Sequence, residues 1–291
     1  MKVYLPNDSK MGIGGGWRFR ENLIKGSSKY FQVIDSLAEA DISLIAGATM
    51  ILPDTFTKLK EKTKVILRLD GVPEFWRNDG RVWGRFKHYF ENSDGIVCQS
   101  DFVKNTTYDW LHMITREGTN WCVIMNGVDK DVFRPDGDRF DFGKGKIVLN
   151  INSRKDENKR IEEVIVRYRY EKLLDRELKI IFAGKYPTYL MKNQFGLYDY
   201  ENDRDWQYFG MLQEPKLVAK LMRSCDEFWF PSFADPAPNS VIEAIHTMGV
   251  EKIKYFNEFG GVKEIIDLYK SDYDFGLENM AKKYYQFFQS V

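Results

Sequence analysis

What most restricts the fold of this chain is an alternation that runs once, stops, and runs again. Short apolar runs stand at "KVYLP", "DISLIAG", "KVILRLD", "DGIVCQS" and "WCVIMNG", with helix-like segments such as "DTFTKLKEK" and "DFVKNTTYDWLHMI" between them. Near-continuous apolar strands separated by helices predict a parallel sheet covered on both faces. Residues 134–146, "RPDGDRFDFGKGK", are rich in Gly, Asp and Pro and poor in apolar side chains, and read as a linker. The alternation then restarts with "KIVLNIN", a helix from about Lys159 to Leu174, "LKIIFAG", "WQYFG", a helix near "EPKLVAKLMRS", and "EFWFP". The pattern predicts two α/β halves, and 291 residues suffice for both. The final "LENMAKKYYQFFQSV" places Met, Tyr and Phe on one helical face that needs another surface to bury it.

Several function classes drop out. Lys plus Arg and Asp plus Glu both number 43, so the chain has no broad basic field for nucleic acid. No run of 18 apolar residues and no apolar leader is present, so neither a membrane span nor a signal peptide is expected. Cys98, Cys122 and Cys225 are isolated in apolar sequence and read as buried thiols of a reducing, cytoplasmic compartment. His88, His112 and His246 have no partners at ligand spacing, so no metal site is expected.

Open α/β sheets bind ligands beyond the carboxyl ends of their strands, and the motifs fall there. In "KMGIGGGWRF", Gly14, Gly15 and Gly16 precede a helix starting near Trp17, where backbone N–H groups can approach a phosphate or sugar. A dinucleotide fingerprint fails at Trp17, and a plain surface loop is the competing reading. After "KIVLNI", Arg154 and Lys159 sit five apart beside a helix start, where two cations can neutralise a diphosphate; a solvated charge cluster competes. "PSFADPAPNSVIEA" places Asp235 in a loop and Glu243 in the following helix, whose first amides can receive an anion. The spacing suits a nucleotide diphosphate sugar. The plainer alternatives are a first-turn glutamate favoured by the dipole and a turn aspartate before proline.

Six segments, in order, carry a resemblance. "PSFADPAPNSVIEA" resembles the E-x7-E signature of retaining GT-B-fold glycosyltransferases of the family-4 type, with Asp in place of the first Glu. "GIGGGWRF", "VCQSDFVK", "VIMNGVDKDVFRP", "SRKDENKR" and "FGGVKEIID" (with Gly260, Gly261 and Glu264) resemble other segments of that family. The resemblance implies an α/β GT-B architecture of two Rossmann-like parallel-sheet domains facing across a cleft. Residues 1–140 would form the acceptor side and 141–275 the donor side, with 276–291 a helix packing back on the first domain.

It further implies that Arg154 and Lys159 bind the donor diphosphate, that Glu243 holds the ribose hydroxyls, and that Asp235 binds the transferred sugar. The backbone of Pro236, Ala237, Pro238, Asn239 and Ser240 would line the sugar and β-phosphate pocket. Gly14, Gly15 and Gly16 would border the cleft, and Asp70 stands where many relatives have a histidine. The implied activity is metal-independent, retaining transfer from a UDP- or GDP-sugar to a glycan, lipid or small-molecule acceptor, with no cofactor beyond the donor. A nucleotide-sugar 2-epimerase and a non-catalytic nucleotide-sugar binder are the alternatives; scarce histidines disfavour the first. Acceptor identity, oligomeric state and any peripheral membrane contact are left open.

Overall fold

The computed structural model describes residues 1–8, 14–71, 80–111, 120–152, 157–185 and 205–291. The chain divides into two compact units, Met1–Val128 with Lys270–Val291, and Asp129–Tyr269.

The first unit contains strands β1 (Lys2–Tyr4), β2 (Gln32–Ile34), β3 (Ile42–Ile45), β4 (Lys64–Leu69), β5 (Gly95–Cys98) and β6 (Asn120–Val123). They form one parallel sheet in the order β2-β1-β3-β4-β5-β6. Helices α1 (Gly15–Gly26), α2 (Pro53–Lys62), α3 (Gly80–Asn92) and α4 (Asp101–Leu111) connect them. Side chains alternate across a strand, so neighbours feed opposite layers. Leu44 and Ile66 enter one apolar cluster, whereas Ile45 and Leu67 enter the other.

The second unit contains β7 (Ile147–Asn152), β8 (Lys179–Gly184), β9 (Trp206–Tyr208), β10 (Glu227–Phe230) and β11 (Ile253–Tyr255), parallel in the order β11-β10-β7-β8-β9. Helices α5 (Ile161–Leu174), α6 (Pro215–Arg223), α7 (Asn239–Met248) and α8 (Val262–Lys270) accompany it. Tyr168, Ile180, Phe182, Trp206 and Trp229 build one of its buried layers. The buried Asn150 amide donates to the Trp229 carbonyl at 2.7 Å, tying β7 to β10.

The polar segment at 134–146 is fixed to this unit. Phe140 and Phe142 contact Phe209 with ring centroids 5.4 and 5.9 Å apart. Arg223, at the end of α6, donates to the carbonyls of Arg134 and Asp138.

The chain ends in α9 (Leu277–Ser290), which belongs to the first unit. It sets Tyr284 5.5 Å from Phe19 and Phe288 5.3 Å from Phe31. The approach is close: a Cβ on Gly26 would lie 2.4 Å from the Leu277 carbonyl oxygen. Among the described residues, no helix is long and apolar enough to cross a membrane.

Both sheets contain a point where the chain reverses its direction of winding. In the first it moves from β1 to β2, then crosses to β3 on the other side of β1. In the second it moves from β7 outward to β9, then crosses to β10. The carboxyl ends of strands flanking such a point open into a crevice, which is where open α/β sheets hold ligands.

Candidate functional site

In the second unit, the crevice lies between the ends of β7 and β10. The chain leaving β7 reaches a 3-10 turn at Glu157–Lys159, and the chain leaving β10 forms the loop 231–238. These two segments meet. The Lys159 ammonium lies 2.5 Å from the Asp235 carboxylate, with each side chain only 13% exposed. It also lies 6.0 Å from the centre of the Phe230 ring. A pair so little exposed is screened only weakly by salt. Arg154 lies outside the described residues.

The loop bearing Asp235 is held from two sides. The Phe233 N–H donates to the Asn158 carbonyl at 2.8 Å, and the Arg160 guanidinium lies 4.6 Å from the Phe233 ring. From the other side, Ala234 N–H donates to Phe259 O and Gly261 N–H to Asp235 O, both at 2.8 Å. Asn257 donates to Pro231 O at 2.7 Å, and Phe233 stacks on Phe259 at 4.9 Å. This clamp holds Ala234 at φ 54°, a conformation that non-glycine residues adopt only when their surroundings impose it. "FGG" therefore works as the second wall of the Asp235 loop.

The glycines of that wall are required by geometry. Gly260 has φ 138°, and a Cβ on Gly261 would lie 1.8 Å from the Pro236 carbonyl oxygen. Gly261→Ala is therefore expected to push the loop away and to destabilise the chain by about 1–3 kcal/mol, the usual cost of overpacking. Thermal unfolding followed by circular dichroism checks it. An unchanged melting temperature would mean that the loop does not depend on this approach.

Helix α7 begins at Asn239, immediately after this loop. No side chain caps its N-terminus and its first turn contains no acidic residue, so no carboxylate of that turn meets the positive end of its dipole. Glu243 is its fifth residue and is buried, which separates it from the ordinary exposed first-turn glutamate. The side-chain oxygens of Asn158 and Asn239 are buried without a hydrogen-bond partner among the described residues. Unsatisfied polar groups are uncommon in protein interiors, and two flank this crevice. Pro236, Ala237, Pro238 and Ser240 connect the Asp235 loop to the helix start.

In the first unit, the crevice lies beyond β1 and β3. Helix α1 starts at Gly15, after Gly14 at φ 144°, again without a side-chain cap. Asp70, just past β4, reaches the same corner. A Cβ on Gly16 would stand 3.8 Å from its Oδ2, and one on Gly47 only 2.5 Å from it. Glycine at 47 is what leaves room for the Asp70 carboxylate. Gly14, Gly15, Gly16 and Asp70, far apart in sequence, thus gather at one sheet edge.

Sequence reasoning missed a buried cation at this edge. Arg68 is 1% exposed and donates to Ala46 O at 2.9 Å, Gln99 Oε1 at 2.6 Å and Asn126 Oδ1 at 2.7 Å. Its guanidinium lies 3.9 Å from the centre of the Phe19 ring. It thereby ties the ends of β3, β5 and β6 together. The signal was available: an arginine inside "KVILRLD" must find several acceptors if the strand is buried.

Cys98 and Cys225 are buried and Cys122 is partly so, and all are free. Burial pushes the Cys122 thiol up to about 12 and raises the other two as well, leaving all three protonated and poorly nucleophilic at neutral pH.

No family model and no curated protein matches the sequence. Solved structures do match. Anabaena HepE in complex with UDP-glucose superposes with a TM-score of 0.66 at 11% identity, over 100% of this chain and 99% of that one. A glycosyltransferase from Rickettsia africae gives 0.62 at 13% identity, covering 99% and 97%. The pneumococcal O-GlcNAc transferase GtfA, in complex with UDP and GlcNAc, gives 0.56 at 12% identity, covering 86% of this chain and 53% of that one. The chain has the α/β GT-B fold, as the sequence resemblance implied.

Proposed function

We propose that this chain is a retaining glycosyltransferase that moves a hexosyl group from a UDP- or GDP-sugar to a hydroxyl acceptor. The observation that carries the reading is the Lys159–Asp235 pair. It is clamped at the winding reversal of the second sheet and lies beside an uncapped helix N-terminus. Three structures of this fold that contain UDP or UDP-glucose lend support through their ligands.

In this reading the donor diphosphate takes the start of α7 and the cations Lys159 and Arg154. Glu243 accepts hydrogen bonds from the ribose hydroxyls, and Asp235 receives those of the transferred sugar. The bond between the anomeric carbon and the phosphate oxygen breaks with its electron pair leaving on the diphosphate. The acceptor hydroxyl attacks from the same face and gives its proton to the departing phosphate oxygen. No protein nucleophile or resident metal is needed, because positioning and two cations meet the charge that develops on the leaving group. Gly14, Gly15, Gly16 and Asp70 serve the acceptor side. The three free thiols are compatible with a reducing cytoplasm.

A thermal-stabilisation screen of nucleotide sugars tests the reading first. A ligand at about 100 times its Kd adds ~2.7 kcal/mol of stability, a clear melting shift. Turnover of the stabilising donor, undiminished by EDTA and with the anomeric configuration retained, is the expected result. Binding without transfer or hydrolysis would make the chain a nucleotide-sugar binder. Interconversion of the donor at C2 would make it an epimerase.

A further inference from the structure

Three non-glycine residues among those described have a left-handed backbone: Arg160 at φ 40°, Ala234 at φ 54° and Asp272 at φ 60°. Two of them flank the charge pair, Arg160 directly after Lys159 and Ala234 directly before Asp235. Outliers of this kind persist only where surrounding contacts over-determine them, and they gather at functional sites. Arginine is an unfavourable occupant of this conformation. Glycine adopts it freely, and Asn, Asp and His tolerate it better than arginine does. Contacts of residue 160 have to hold it there.

Its side chain makes them. Arg160 donates through Nη1 to Glu163 Oε1 at 2.8 Å and to Asn257 Oδ1 at 3.3 Å. Asn257 donates in turn to Glu163 Oε2 at 3.4 Å, which closes a triangle, and to Pro231 O at 2.7 Å. The guanidinium also lies 4.6 Å from the centre of the Phe233 ring, and Phe233 itself stacks on Phe259. The Arg160–Glu163 ion pair alone would hold little, because its side chains are 38% and 40% exposed. The reach of the other contacts matters more, since Asn257 stands 97 residues along the chain.

We propose that Arg160 is a positioning residue for the Lys159–Asp235 pair. It joins the turn that carries Lys159 to the loop that carries Asp235, at Phe233 directly and at Pro231 through Asn257. Lysine presents its charge on a flexible four-carbon stem, so the backbone at 159 decides where the ammonium can stand. Fixing residue 160 fixes that starting point. The catalytic consequence rests on the transferase reading, which gives Lys159 a leaving group to meet; the placement of Lys159 does not.

Two variants test the proposal. Arg160→Gly removes the guanidinium and accepts the backbone angle freely. Arg160→Asn removes it too but keeps a side chain that tolerates the angle, which separates lost contacts from added backbone freedom. Reductive methylation of the ligand-free full chain, read by peptide mass spectrometry, should modify Lys159 at least ~5-fold faster in both variants, because local opening becomes easier. Lys263, 59% exposed in the parental chain, should react at its parental rate. With donor, both variants should turn over on the order of 10-fold more slowly. That loss should vanish in a Lys159→Ala background, because residues that act through one another are not additive. An arginine with a merely structural role would lower turnover by the same factor in both backgrounds, and that result would overturn the proposal. So would an unchanged methylation rate at Lys159 in either variant, or an equal rise at Lys263. Methylation needs no substrate. A parental chain that transfers no sugar would therefore overturn the proposed activity, while the labelling still decides whether Arg160 places Lys159.

Discussion

At saturating donor, Lys159→Ala is expected to turn over roughly 10²–10³-fold more slowly than the parental chain, the effect of removing one donor to a developing oxyanion. The diphosphate gains negative charge as the sugar departs, so a cation at that position stabilises the transition state more than the ground state. Lys159 is suited to this because it is only 13% exposed and is held in place by Asp235. The substitution also leaves Asp235 without its cation, which lowers stability. Turnover must therefore be compared at a temperature where both chains are folded. Arg154→Ala belongs in the same assay, with Arg154→Lys expected to fall short of rescue because the forked donor geometry is lost. Near-parental turnover in Lys159→Ala at saturating donor would remove Lys159 from the mechanism.

The second large effect divides the two carboxylates. Glu243→Gln should weaken both the free nucleoside diphosphate and the full donor by about 1.5–3 kcal/mol, the range for lost hydrogen bonds to a charged group. Asp235→Asn should lower turnover without weakening the free nucleoside diphosphate. The structure gives the reason for this asymmetry. Asp235 engages the Lys159 ammonium at 2.5 Å, so neutralising it leaves the cation more available to phosphate. Glu243 sits beyond the first turn of α7, buried, on the far side of the helix start from the Asp235 loop in sequence. Calorimetric titration of the two variants with nucleotide and with donor decides the matter. Equal losses for both ligands in both variants would show that the carboxylates have no separate roles.

Much of this was readable from residues in order. Apolar runs such as "KVILRLD" and "KIIFAG" have no amphipathic alternation, so they had to be strands covered on both faces, and they are central strands of the two sheets. The motif residues follow strands, so the parallel topology by itself put them at the carboxyl ends of the sheets. Two of the four edge strands were not legible. β2 and β11, three residues each, were not read, although β1 and β9 of the same length were. Local geometry also moved boundaries. Lys159 was read as opening a helix, yet it ends a 3-10 turn; Arg160 at φ 40° then turns the chain, and α5 starts at Ile161.

What the sequence alone determined was the two-fold alternation, the balanced charge and the residue types available for chemistry. Only the tertiary structure decided which of them meet. The segment 134–146 has the composition of a solvated linker, but three aromatic rings and the Arg223 guanidinium fix it to the second unit. Lys159 and Asp235 are 76 residues apart; the resemblance assigned both to one donor site, but their direct ion pair was not among its implications. They pair because β10 crosses back to lie beside β7, and because a glycine at 261 lets the opposite wall approach within the space of a missing Cβ. Strand order and backbone approach are properties of the packed chain, set by many weak contacts at once, so no local window of sequence contains them.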